Sequence, residues 1–158
     1  MGEFWRSNLS DKDMKDLRDD VENAVAAAND VIREILDQSS LKVGHKPGEG
    51  PVTEADHAAD EILFKKLNSL IEGSQWLSEE SKQSTPLIAG RPTWVIDPLD
   101  GTREFIRGLP EFGVSVSLFI EDRLSLGVIG LPRYSEEKGS IFSGLLSENN
   151  TEFKHDGG

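Results

Sequence analysis

The sequence contains no cysteine. Disulfides, thiolate metal sites and a cysteine nucleophile are therefore excluded. It also lacks any apolar run of transmembrane length, and residues 1–6 (Met1 to Arg6) have no hydrophobic signal core. A cytoplasmic location is the default expectation. Positive charge is scarce: 17 Lys and Arg stand against 29 Asp and Glu, a formal net charge of −12. Such a surface repels polyanions, which argues against a nucleic-acid polymer or a membrane as partner. A small anionic ligand is not excluded, because a bound cation inverts the local field. No internal repeat and no low-complexity segment interrupts the 158 residues, enough for one domain with a sizeable core.

What the chain does have is a stretch around which the rest is organised: Trp94-Val95-Ile96-Asp97-Pro98-Leu99-Asp100-Gly101-Thr102, followed by Arg103-Glu104-Phe105-Ile106-Arg107. Trp94, Val95 and Ile96 read as a short strand ending at Asp97. Pro98 forces a turn, and Asp100-Gly101 opens a segment able to begin a helical turn. Two carboxylates and the Leu99 carbonyl are thus gathered by a stiff turn, an oxygen set that suits a hard cation such as Mg²⁺. The N–H groups of Gly101 and Thr102 are placed for a phosphate oxygen, and the Thr102 hydroxyl for a water. Asp-Pro-x-Asp-Gly is also simply a good turn. Against that stands the cost of an acidic pair directly after an apolar strand, which calls for a partner.

These residues resemble the signature of the lithium-sensitive, Mg²⁺-dependent phosphatases, the inositol monophosphatase superfamily. Two further matches lie upstream in the family's order, Leu77-Ser78-Glu79-Glu80-Ser81 and Pro51-Val52-Thr53-Glu54-Ala55-Asp56. Ser78-Glu79-Glu80 and Gly101-Thr102-Arg103-Glu104-Phe105-Ile106 look closer to its 3'(2'),5'-bisphosphate nucleotidase branch than to the inositol monophosphatases themselves. The resemblance implies hydrolysis of a small phosphomonoester. Glu79, Asp97 and the Leu99 carbonyl would hold one Mg²⁺, and Asp97 and Asp100 a second. Asp56 and Thr102 would orient the attacking water, and the Gly101 and Thr102 amides would bind phosphate oxygens.

Along the chain, residues 1–10 read as a loose polar arm. From Asp11, apolar residues at steps of three and four (Leu17, Val21, Ala28, Ile32, Ile35) predict an amphipathic helix of about seven turns, with Ser10 and Asp13 as its capping box. Residues 39–51 read as a loop carrying Lys42, His45 and Lys46, whose roles stay open. A second helix runs to Gly73 with Thr53 as its N-cap. That cap gives Asp56 a rival reading, since a Thr-x-x-Asp box needs no metal. Gln75-Trp76-Leu77 reads as a strand whose two glutamates are either a solvated end or part of the site. Residues 82–92 form a polar loop. From Phe112 the period becomes two, predicting strands around Val114–Ile120, Leu124–Ile129, Ser140–Gly144 and Thr151–Lys154, the first two paired antiparallel.

The expected fold is α+β: two N-terminal helices packed on a mainly antiparallel sheet, the N-terminal half of the phosphatase fold. The expected organisation is an arm over residues 1–10 and one domain over 11–158. Family chains carry a second half with a Trp-Asp-x-Ala motif, and Trp5, Trp76 and Trp94 are not followed by Asp. The expectation is therefore a half-length chain whose second metal site is completed by a missing C-terminal half or across a homodimer. A non-catalytic module that binds metal or phosphate is the alternative from another class.

Overall fold

The computed structural model describes residues 9–37, 43–45, 51–80, 86–134, 139–148 and 150–156, with the side chains of residues 11, 12, 43–45 and 51–53 left out of the description. Lys42, Lys46 and the side chains of His45 and Thr53 lie outside it. The elements run α1 (Asp11–Asp37), β1 (Val43–His45), β2 (Pro51–Thr53), α2 (Glu54–Leu67), β3 (Gln75–Ser78), β4 (Thr93–Asp100), α3 (Thr102–Ile106), β5 (Gly113–Ile120), β6 (Arg123–Leu131), β7 (Ser140–Leu146) and β8 (Thr151–His155). Strands β3 to β8 form one six-stranded sheet in sequence order. Only the β3–β4 pair is parallel, and the four later pairings are antiparallel. Helices α1 and α2 pack on each other and on one face of this sheet, α1 over β5–β7 and α2 over β4. This is the α+β arrangement that the sequence led us to expect.

The helix α1 starts where its capping box sets it. The Asp13 amide donates to Ser10 Oγ at 3.1 Å and the Ser10 amide donates back to Asp13 Oδ2 at 3.0 Å, so two otherwise orphaned N–H groups are satisfied. Its apolar stripe (Val21, Val25, Ala28, Ile32) is fully buried against the sheet. Close approach is possible because position 130 on β6 is glycine: a Cβ there would lie 2.5 Å from Val25 Cγ1 and 2.7 Å from Asn29 Oδ1. On β5, Val114, Val116, Leu118 and Ile120 are buried while Ser115, Ser117 and Phe119 are partly exposed. The two-residue turn Glu121-Asp122 that returns the chain into β6 has φ of 54° and 62°, the conformation that matches the twist of paired strands.

Three sequence expectations need correction. Helix α2 ends at Leu67 rather than at Gly73. Leu70 and Ile71 still pack on the core from the turns that follow, so the apolar stripe outlasts the helix. Second, the 39–51 stretch is not all loop: β1 and β2 pair antiparallel, Val43 opposite Thr53 and His45 opposite Pro51. Third, β4 does not stop at Asp97. It bulges between Asp97 and Asp100, where Pro98 offers no N–H for the ladder, and rejoins β5 with Asp100 opposite Gly113.

Candidate active site

The bulge decides which way each carboxylate of β4 points. Trp94, Ile96, Pro98 and Leu99 are buried, Asp97 is half-buried and Asp100 is exposed. Alternation along a strand puts Asp97 on the side away from Trp94 and Ile96. The Leu99 amide hydrogen-bonds to the Asp97 carboxylate across Pro98, so the turn that breaks the ladder also fixes this side chain.

Strand β3 brings the glutamates alongside. It pairs in parallel with β4, Ser78 opposite Ile96, and the Glu79 amide reaches the Ile96 carbonyl at 3.4 Å. Both acidic segments therefore leave the sheet at the same end of their strands. Glu79 is exposed. Glu80, the next residue, turns the other way; its side chain is only 10% exposed and lies 3.9 Å from His57 Nδ1 of α2. The Ser78 hydroxyl donates to Asp60 of α2 at 2.6 Å. That tether between β3 and α2 was not visible in the sequence, where Asp60 is one acid among many on the helix.

Asp56 comes from the first turn of α2 and is 2% exposed. The Thr102 hydroxyl has two acceptors within reach, Asp56 Oδ1 at 3.3 Å and the Leu99 carbonyl at 3.1 Å. A hydroxyl has one proton to give, so the two acceptors compete for it, and Thr102 stands between the buried carboxylate of α2 and the turn of β4. Between them Gly101 adopts φ 88°, ψ 36° ahead of α3. A Cβ there would be 2.6 Å from the Glu111 carbonyl oxygen. Only glycine combines that left-handed conformation with that proximity.

Asp56, Glu79 and Asp100 thus stand close enough for their charges to act on Asp97. Burial and the neighbouring charges of Glu79, Asp100 and Asp56 push the Asp97 carboxyl up to about 6. A carboxylate held against its own ionisation is a place where positive charge is favoured. Among the described residues, no three His, Asp or Glu side chains already form a cation cage. The donor set is nonetheless all oxygen and strongly acidic, which fits a hard divalent cation.

A model of the inositol monophosphatase family matches residues 13–153. The chain belongs to the inositol monophosphatase family. Family members are metal-dependent phosphatases. The chain is 40% identical over 105 residues to a histidinol-phosphatase of Chlorobaculum parvum, covering 64% of this chain and 40% of that one. It is 33% identical over 126 residues to the 3'(2'),5'-bisphosphate nucleotidase CysQ of Buchnera aphidicola, covering 79% and 48%. Among solved structures, the extragenic suppressor protein suhB of Bartonella henselae superposes with a TM-score of 0.69 at 27% identity, covering 84% and 49%. The chain spans less than half the length of these family relatives. No helix among the described residues is long and apolar enough to cross a membrane.

Proposed function

We propose that the chain supplies the metal- and phosphate-binding part of a phosphomonoesterase of this family, with the 3'(2')-phosphate of a bisphosphorylated nucleoside as its preferred substrate. The observation that carries the reading is the convergence of three carboxylates, Asp56 of α2, Glu79 after β3 and Asp100 of β4, around Asp97, whose own ionisation they oppose. In this reading Glu79, Asp97 and the Leu99 carbonyl would hold one Mg²⁺, and Asp97 and Asp100 would contribute to a second. Bound ions would polarise the phosphoryl group and acidify the attacking water. The chain's own residues do the rest. Asp56 accepts the Thr102 hydroxyl proton, which leaves the hydroxyl oxygen to receive a water proton and aim that water. The Gly101 and Thr102 amides neutralise phosphate oxygens. The substrate choice is supported by Ser78-Glu79-Glu80, by the Gly101–Ile106 segment, and by the similarity to the Buchnera nucleotidase.

The test is a phosphate-release screen with Mg²⁺ over adenosine 3',5'-bisphosphate, inositol 1-phosphate, histidinol phosphate and fructose 1,6-bisphosphate. It is run on the 158-residue chain and on its fusion to the C-terminal portion of a relative. The bisphosphate should give the highest kcat/KM, and lithium should inhibit. Preference for inositol 1-phosphate or histidinol phosphate would overturn the substrate and leave the phosphatase reading. Release from none of them by either protein would favour a non-catalytic module.

A further inference from the structure

Strand β3 meets α2 through alternate residues. Trp76, Ser78 and Glu80 stand two apart and turn towards the helix, where Phe64, Asp60 and His57 receive them at successive turns. The Trp76 and Phe64 rings pack edge to face with centroids 5.2 Å apart. The Ser78 hydroxyl donates to Asp60 Oδ1 at 2.6 Å. Glu80 closes the series 3.9 Å from His57 Nδ1. Leu77 and Glu79, between them, are exposed.

The three contacts do different things. Burial of the two rings holds β3 against α2 but is non-directional. The Glu80–His57 pair is long, and the exposed His57 side chain leaves it open to solvent screening. The Ser78 bond is short and directional. Ser78 is 6% exposed, so water has little access to compete for it. Its oxygen also accepts the Glu80 amide at 3.3 Å, a side-chain-to-backbone turn that serine favours. One hydroxyl thus fixes the backbone on both sides of Glu79. The bond from the Glu79 amide to the Ile96 carbonyl, 3.4 Å long, is a weak hold by comparison. Asp60 follows Asp56 by four residues, so both lie on one face of α2. The helix face that carries the buried Asp56 carboxylate therefore also sets Glu79, through Ser78.

We propose that Asp60 and Ser78 are a positioning pair: through the Ser78 hydroxyl, α2 fixes the backbone that aims Glu79 at the cation it shares with Asp97. Neither residue touches the cation or the substrate. The inference rests on the reading of Glu79 and Asp97 as Mg²⁺ ligands. It makes the acceptor oxygen at position 60, and not the charge there, the property that matters.

The experiment is a Mg²⁺ titration of the nitrogen-15-labelled 158-residue chain, without substrate, followed at the Gly101 and Thr102 amide resonances. Ser78→Ala and Asp60→Ala should each weaken Mg²⁺ binding about tenfold, the lower end of what losing a partner behind a metal ligand costs. The double variant should bind no more weakly than either single one, because both substitutions remove the same bond. Asp60→Asn keeps an acceptor oxygen and discards the charge, and should bring the affinity back to within about threefold of wild type. Dispersed amide resonances show that a variant is folded, and either alanine variant carries the test if the other does not fold. If the alanine variants bind Mg²⁺ within about twofold of wild type, or if their losses add in the double variant, the pair is wrong and the metal reading stands. The same holds if Asp60→Asn binds as weakly as Asp60→Ala. If wild type and Asp97→Asn alike show no saturable shift at Gly101 or Thr102, the metal reading fails and the pair falls with it.

Discussion

Asp97→Asn should stabilise the metal-free chain at neutral pH while removing its affinity for divalent cations. Asparagine keeps the shape of the side chain and an oxygen for the Leu99 amide, and it discards the charge that Glu79, Asp100 and Asp56 oppose. The carboxyl ionises near 3.8 in the unfolded chain and near 6 in the folded one. Over that interval the folded state holds a proton that the unfolded state has released. Stability therefore declines as pH rises from about 4 to about 6, and the full cost applies above that. Two pK units correspond to about 3 kcal/mol. Asp97 is only half-buried, and solvent screening brings the realistic figure to about 1–2 kcal/mol. For a domain of this size that is a rise in Tm of about 3–6 °C at pH 7.5.

The assay is urea denaturation of wild type and variant in EDTA at pH 7.5 and at pH 5. The gap between them should shrink by about half at pH 5, where the folded wild type is already largely protonated. Added Mg²⁺ should then raise the wild-type midpoint and leave the variant's unchanged. A variant less stable than wild type at pH 7.5, or a gap that ignores pH, would refute the argument that these carboxylates strain the fold.

The other expectations are local. Thr102→Val should cost about 1–2 kcal/mol by removing a half-buried hydroxyl donor from the buried Asp56, as measured by denaturation; it should also slow phosphate release at least a hundredfold, and Thr102→Ser should recover most of both. Gly130→Ala should cost about 1–3 kcal/mol, because the new methyl overlaps Val25 and Asn29. Gly127→Ala on the same strand meets nothing within 4 Å and should stay within about 0.5 kcal/mol of wild type. The 158-residue chain alone should release phosphate at least a hundredfold more slowly than its fusion to the C-terminal portion of a relative, since Asp97 and Asp100 are few ligands for a second Mg²⁺. Full turnover by the chain alone would point to a site closed across a dimer.

How far the sequence could be read depended on whether a feature was local. The capping box of α1 and the period-two strands β5 and β6 each rest on residues a few positions apart, and each forms where the sequence led us to expect it. Helix α2 was overrun because Leu70 and Ile71 continue its apolar spacing from outside the helix. The β1–β2 pair was missed because three-residue strands carry too few positions to show a period. The candidate site divides the same way. Asp97, Leu99, Asp100, Gly101 and Thr102 are contiguous and could be read as one turn. The parallel pairing of β3 with β4, the Ser78–Asp60 tether and the Thr102–Asp56 bond span 18 to 46 residues, and no local spacing announces them.

That division also explains why the acids are tolerated where they are. Directly beneath Asp97 and Asp100, Trp94, Ile96 and Leu99 are at most 3% exposed, and fully burying such side chains stabilises a fold by about 1.5–3 kcal/mol each. Their sum exceeds the about 1–2 kcal/mol that ionised Asp97 costs. Strand β4 can therefore carry Asp97 and Asp100 beside Asp56 and Glu79 and still keep its register. The cost falls on the charges themselves, where a cation can relieve it, and not on the packing that aims them. A site built this way gains affinity for a divalent ion from the same repulsion that weakens the empty fold. The two effects must then change together: any substitution in the cluster that raises metal-free stability should lower cation affinity, and Glu79→Gln and Asp100→Asn should follow Asp97→Asn in direction and by smaller amounts.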